Sequence, residues 1–458
     1  MSLFPEMATL SPAEQEKAKQ YQRKILSFLL DKYERSSAFR TGQAGKQRPQ
    51  MTLSGSPLGT AYDDEMDYRP RELIHAALGD LVRRGIVAVT WVRFQEGRRV
   101  DKVYLLLDEV EQAYRLTGRT SKADHLAMVQ ALAEKLLDHP FEWVRRWAAG
   151  IVQAAGERKS VGRLAEDGEQ LELLVRVLQA LPTVAPGTPK RVFSQAVLGD
   201  SKRFEQVVEK PLLALMRREC EEFERDEEYL DSIGLVDHPK LTLLAGPLQF
   251  AVGEVVTDVG ALPGGVGLYG PTIEALAVRK LPATVVTVEN LTSYEQLVAA
   301  VGAAQAGVVQ PGVAQAVAAL ATKKNTVLII YTGGFPHHGT LRLLQKLGQA
   351  TPAGTRFWHW GDIDYGGIRI FEHIRHQALP DLQPLAMDVA TYRRYAERGI
   401  TVTEEYRRKL ANLVEDGRFA RWLSVLQALQ MEGRRVEQES IDITEVMQRL
   451  MEKRTTAF

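Results

Sequence analysis

The chain has 458 residues, long enough for roughly two to four domains that each bury a core. Its formal net charge of zero excludes a uniformly basic nucleic-acid coat, yet Arg83-Arg84, Arg98-Arg99 and Arg217-Arg218 leave room for local basic grooves. A single cysteine, Cys220, excludes an intramolecular disulfide and a cysteine-based zinc cluster. No apolar run is long enough to span a bilayer and the first residues lack the apolar core of a secretion signal, so a cytoplasmic protein without membrane contact is expected.

Residues 12 to 35 are predicted helical, with Ile25, Leu26, Phe28, Leu29 and Leu30 marking the apolar side. The polar, glycine-rich and basic stretch 40 to 60 is predicted to be a loop. Leu73, Ile74, Ala77, Leu78, Leu81 and Val82 then recur at helical spacing, and Gly85 suits the residue after a helix end. Strands are predicted over 86–94 and 100–107, joined by the charged turn QEGRR. Two helices and a hairpin with a basic tip give a winged-helix-like α+β domain over 1–120. An alanine- and leucine-rich helical arm is expected over 121–165, and a small, mostly helical module over 166–240. The GDSK of that module lacks the glycine-rich frame of a phosphate loop.

From residue 241 the pattern changes. The strands LTLLAG, LQFAV and EVVTDV lead to the glycine-rich LPGGVGLYGPT, and then strands ATVVTVEN, TVLIIYTGG and RFWHWGDID alternate with helices. That alternation predicts an α/β domain over 241–400, with a mainly parallel sheet covered on both faces. The remainder, 401–458, is expected to be helical.

In a strand, residues i and i+2 point to the same side. Asp362 and Asp364 would therefore leave the carboxyl end of one strand together, where open α/β sheets build their sites. Glu289 ends another strand in the same way, after Val285, Val286 and Val288. Three carboxylates in one crevice would raise one another's pKa values. A divalent cation removes that penalty, and hard oxygen ligands suit Mg2+ or Mn2+. The alternative is a capping role, with Asp364 as the N-cap of the helix that begins near Gly366. That helix would offer its N-terminus to a phosphate.

An acidic residue ending one strand, followed by D-x-D after a later strand, resembles the Toprim domain of topoisomerases, primases and related nucleases. More closely, VVTVENLTSY, YTGGFP and HWGDIDYGGIRIFEHIR resemble JetD, the nuclease subunit of the Wadjet anti-plasmid defence systems. RVFSQAVLGDSKRFE upstream and RRVEQESI near the end extend the likeness. It is densest over 240–390, thinner over 190–240, and limited before that to the winged-helix-like pattern. The family is related to the A subunit of type IIB topoisomerases. Membership implies a homodimer that cleaves double-stranded DNA after an SMC-type, MukBEF-like complex (JetABC) has processed a closed circle. It also implies Glu289, Asp362 and Asp364 as metal-binding acids. Relatives tend to carry His-Gly-Phe where this chain has Gly366-Gly367-Ile368, so no histidine role transfers there.

Other readings compete. A topoisomerase-like transesterase would need a tyrosine nucleophile, and Tyr104 and Tyr114 lie in ordinary packing patterns. GVGLYG is literally G-x-G-x-x-G, with Glu289 at the distance a dinucleotide fold wants, but Pro263, Pro271 and Pro282 interrupt the required strand–turn–helix frame. A haloacid-dehalogenase-like phosphatase would place its D-x-D on the first strand of the domain. A non-enzymatic winged-helix DNA-binding or sensor protein has no need of the three acids together. Lys202, Arg203 and Arg356 are candidate phosphate contacts. His337 and His338 are expected in a solvated loop, with phosphate contact as the functional alternative.

Overall fold

A computed structural model describes residues 4–41, 48–162, 165, 167–220, 223–305, 327–352 and 354–451. The chain forms two compact units, Met1–Gln179 and Ala180–Phe458. The expected segments 1–120 and 121–165 both fall in the first unit, and 241–400 and 401–458 both fall in the second. The boundary divides the expected middle module.

The first unit begins with α1 (Pro12–Glu34), where Ser11 and Glu14 form a capping box. Strand β1 (Gln50–Thr52) follows, then α2 (Arg69–Arg83), β2 (Val87–Trp91) and β3 (Val100–Leu105). The three strands pair antiparallel in the order β1-β3-β2. Ile25, Leu26 and Leu29 of α1, Ile74, Leu78 and Leu81 of α2, and Val103 and Leu105 of β3 are buried in one core. The expected loop at 40–60 is only partly one: β1 and a short helix, Gly59–Asp63, lie inside it, while 42–47 lie outside the described residues. Met51 supplies the reason, since its side chain is buried in that core. The rest of the unit comprises α3 (Val110–Thr117), α4 (Lys122–Glu134), α5 (Glu142–Gly156) and α6 (Gly168–Ala180). The expected arm is two helices, because Pro140 cannot continue a helix into α5.

The second unit opens with α7 (Lys190–Leu198) and α8 (Glu209–Cys220). Strands β4 (Thr242–Ala245), β5 (Gln249–Val252), β6 (Val255–Asp258), β7 (Val266–Leu268) and β8 (Ala277–Lys280) follow. Next come β9 (Thr284–Val288), α9 (Leu291–Gln305), β10 (Val327–Tyr331), α10 (His338–Gln349), β11 (Arg356–Trp360), α11 (Tyr365–Gln377) and β12 (Gln383–Pro384). Helices α12 (Val389–Tyr395), α13 (Glu404–Glu415), α14 (Leu423–Glu432) and α15 (Ile443–Met451) complete it.

A six-stranded sheet runs in the order β12-β11-β9-β10-β4-β7. The first four strands are parallel, and β4 and β7 join antiparallel. The sheet is therefore mainly parallel, as expected, with its antiparallel pairings confined to the β4-β7 side. Every residue of β9, three valines and two β-branched threonines, is buried, as in a strand covered on both faces. Strands β8, β5 and β6 form a separate antiparallel sheet. The G-x-G-x-x-G stretch turns out to be edge strand β7 and a six-residue helix, Gly270–Ala275, with none of the crossover that a dinucleotide site needs.

The connections fix where a site can form. From β9 the chain passes to β10 on one side, while from β11 it passes to β12 on the other. The crevice between β9 and β11 is thus a switch point, the place where open α/β sheets bind ligands at their carboxyl ends.

Candidate functional site

Val288 and Trp360 are register partners at the ends of β9 and β11, and Glu289 N–H donates to Trp360 O at 3.1 Å, carrying the ladder one step further. Glu289 and Asp362 are thereby brought to the same end of adjacent parallel strands. Asp362 N–H donates to Glu289 Oε2 at 3.2 Å. Beyond Trp360 the chain stays extended, with Ile363 fully buried and bridged to Val436, so Asp362 and Asp364 turn away from it together.

Asp364 is the N-cap of α11: its Oδ1 accepts Gly367 N–H at 2.8 Å. The capping reading and the site reading therefore describe the same side chain. The helix N-terminus expected for a phosphate is occupied by this carboxylate. Gly367 has to be glycine, because a Cβ there would meet Asp362 O at 2.2 Å.

Burial first, then the Asp362 and Asp364 charges, pushes the Glu289 carboxyl well above the usual carboxylate range. Burial and then Asp364 raise Asp362 to about 7. Burial also raises Asp364, against the opposing effect of its backbone bonds and of Arg435, whose Nη1 lies 3.6 Å from Asp364 Oδ2.

Four neighbours had no strong signal in the sequence. Glu224 is a fourth carboxyl, raised by burial and then by the charge of Asp364. It precedes α11 by more than a hundred residues and ends no strand, so no periodicity marks it. Tyr406, on α13, accepts Tyr365 N–H at 2.7 Å, and burial and then the charge of Asp364 push its hydroxyl pKa up. Gln438, fully buried, donates its N–H to Asp362 Oδ1 at 2.6 Å and its Nε2–H to Trp360 O at 2.8 Å, and accepts Asn290 N–H at 2.8 Å. It ties the loop after α14 to the ends of both strands. Arg435 and Gln438 both belong to the RRVEQESI motif, whose only sequence signal was family likeness.

Of the other sequence candidates, Lys202 and Arg203 sit in the turn after α7, where Lys202 N–H donates to Asp200 Oδ1 at 2.7 Å and Arg203 N–H to Asp200 O at 3.3 Å. Arg356 starts β11, at the opposite end of the strand from the carboxylates, and its Nη2 donates to Thr284 Oγ1 at 3.3 Å. His338 is exposed, as a solvated histidine should be. His337 departs from that expectation: it is half-buried at the N-cap position of α10, its side chain making no cap bond, and burial lowers its pKa to about 4.

Each of the three acids is held by a backbone N–H through one carboxylate oxygen. Among the described residues, no three His, Cys, Asp or Glu side chains stand together as a ready-made metal ligand set. The donor chemistry nevertheless fits a hard divalent cation, since all donors are carboxylate oxygens pushed toward neutrality by burial, with Glu289 and Asp362 raised further by neighbouring carboxylates whose charge a cation would offset.

A family model described as "Wadjet protein JetD, C-terminal" matches residues 314–450, which include the D-x-D and the RRVEQESI segment. The Wadjet protein JetD of Bacillus cereus (strain Q1) is 36% identical over 427 residues, covering 92% of this chain and 98% of that protein. A likeness of that extent reaches into both units, and the chain belongs to the Wadjet JetD family.

Proposed function

We propose that this protein is a metal-dependent DNA endonuclease of Toprim type, cutting plasmid or other closed circular DNA in prokaryotic defence. The observation that carries the reading is the convergence of Glu289, Asp362 and Asp364 at the switch point between β9 and β11, with Glu224 beside them. A sensor or a docking module has no use for converging, buried or half-buried acids whose charges raise the pKa values of their neighbours. In this reading the first unit is a winged-helix-like module that binds DNA or a partner. The working form is a homodimer acting with an SMC-type, MukBEF-like complex.

Glu289, Asp362 and Asp364 would hold Mg2+ or Mn2+. Bound there, the cation supplies Lewis-acid stabilisation of the charge that develops on the phosphodiester. The chain's own groups do the positioning. Gln438 fixes Asp362, Gly367 fixes Asp364, Tyr406 holds the first N–H of α11, and Arg435 offers a cation beside the carboxylates for a phosphate. Tyr406 is an orienting group in this scheme. Its hydroxyl is already engaged by Tyr365 N–H, and burial and then the charge of Asp364 push its pKa up, the opposite of what a nucleophile needs. This supports hydrolysis over attack by Tyr406.

Cleavage of plasmid DNA by the full chain with its complex should be abolished by Asp364→Ala and left free of protein–DNA adducts in the wild type. Cleavage surviving in that variant would remove the site assignment. Protein recovered on a DNA end after denaturation would replace hydrolysis with transesterification.

A further inference from the structure

The histidine that opens HWGDID is fully buried, and its Nε2 has no hydrogen-bond partner among the described residues. A buried polar atom left in this way calls for an explanation, because nearly all such atoms are paired. Its other nitrogen is accounted for. His359 and Thr287 are register partners on β11 and β9, and Thr287 Oγ1 lies 2.9 Å from His359 Nδ1. Thr287 and Glu289 are two residues apart and share a face of β9. The ring is therefore held on the face from which Glu289 projects.

Gly361 shows where Nε2 points. A Cβ built on this glycine would lie 2.6 Å from Glu289 Oε2 and 2.8 Å from His359 Nε2. The two atoms face each other across the one residue whose lack of a side chain leaves room between them. We propose that His359 positions Glu289 by a hydrogen bond at Nε2, direct or through one water, closing a Thr287–His359–Glu289 relay over Gly361. Its role in the proposed metal chemistry rests on the nuclease reading; the bond itself does not.

The relay works with a neutral ring in either tautomer. With the proton on Nε2, the ring donates to a Glu289 carboxylate and Thr287 O–H donates to Nδ1. With the proton on Nδ1, the ring donates to Thr287 Oγ1, Thr287 O–H donates to Trp358 O (3.2 Å), and a protonated Glu289 donates to Nε2. Burial keeps the imidazole neutral, lowering its pKa to about 3. Outer partners of this kind orient metal-binding carboxylates, and their loss typically weakens metal affinity about 10–100-fold.

The test uses full-length wild type, His359→Leu, His359→Gln and the near-isosteric Thr287→Val. The infrared band of the Glu289 carboxyl is first assigned in metal-free protein by its loss in Glu289→Gln. It should shift in His359→Leu, shift less in Thr287→Val, and return toward wild type in His359→Gln, which restores a polar group near Nε2. Mn2+ affinity by calorimetry should fall about 10-fold or more in His359→Leu and largely recover in His359→Gln. A band that does not move in any variant overturns the bond. A band that moves while Mn2+ affinity holds overturns the positioning role. If wild type binds no Mn2+, the metal-nuclease reading fails and the infrared band alone decides the relay.

Discussion

At the scale of single residues, the self-repelling carboxylates make pH the natural probe. The folded-state pKa of Asp362, about 7, lies above its unfolded value near 4, so folding takes up a proton between those two values. Its contribution is fully present below the unfolded pKa and is lost as pH rises through the folded one. The slope is about 1.4 kcal/mol per pH unit for one such group. Asp362→Asn keeps the oxygen that accepts Gln438 N–H but removes the titration. In metal-free protein the variant should therefore become more stable than wild type as pH rises from 5 to 8, as read by urea unfolding. Equal pH slopes in the two proteins would show that Asp362 is not perturbed. Gly367→Ala offers a steric test: its Cβ would press on Asp362 O, and overpacking of this kind costs about 1–3 kcal/mol. The loss should appear in unfolding free energy together with weaker Mn2+ binding, because Asp362 and the α11 cap move together.

At the scale of elements, the site is an edge effect of sheet topology. Strands β9 and β11 are neighbours, yet their onward connections diverge, and only that divergence opens a crevice beside Glu289. The crevice is closed from outside by a loop remote in sequence, through Gln438. Gln438→Leu would leave Asn290 N–H without its described partner, at about 1–3 kcal/mol for an unpaired group, while Trp360 O keeps its bond from Glu289 N–H. A loss of about 1–3 kcal/mol is expected on that basis, with reduced Mn2+ affinity in the same preparation. Wild-type stability in this variant would mean that water replaces the clamp at no cost. The switch point itself was only half visible in the chain. Alternating strands and helices announced a parallel sheet, whereas the antiparallel addition of β4 and β7 rests on pairings between segments too far apart for local pattern to record.

At the scale of the whole molecule, all the acids lie in the second unit, while the exposed arginines of the β2–β3 hairpin, Arg93 and Arg98, lie in the first. The proposed division of labour separates two measurements. Replacing Arg93 and Arg98 by alanine should weaken double-stranded DNA binding across sequences and reduce the salt slope by about 0.9 for each phosphate no longer neutralised, leaving Mn2+ affinity unchanged. Asp364→Ala should do the reverse, lowering Mn2+ affinity while DNA binding and its salt slope persist. An unchanged salt slope in the arginine variant would remove the hairpin from the DNA interface.

The sequence by itself determined which strands would be buried, because an unbroken run such as Thr284–Val288 can only be covered on both faces. It also determined that Glu289, Asp362 and Asp364 would sit at strand ends, since side-chain alternation is local and short-range. Tertiary structure decided what surrounds them. Glu224, Tyr406, Arg435 and Gln438 reach the site through chain folding over tens to hundreds of residues, and no local period encodes such an approach. It also decided that His359, an ordinary residue of a buried strand by pattern, faces Glu289 across Gly361, since that depends on β9 and β11 being neighbours in register.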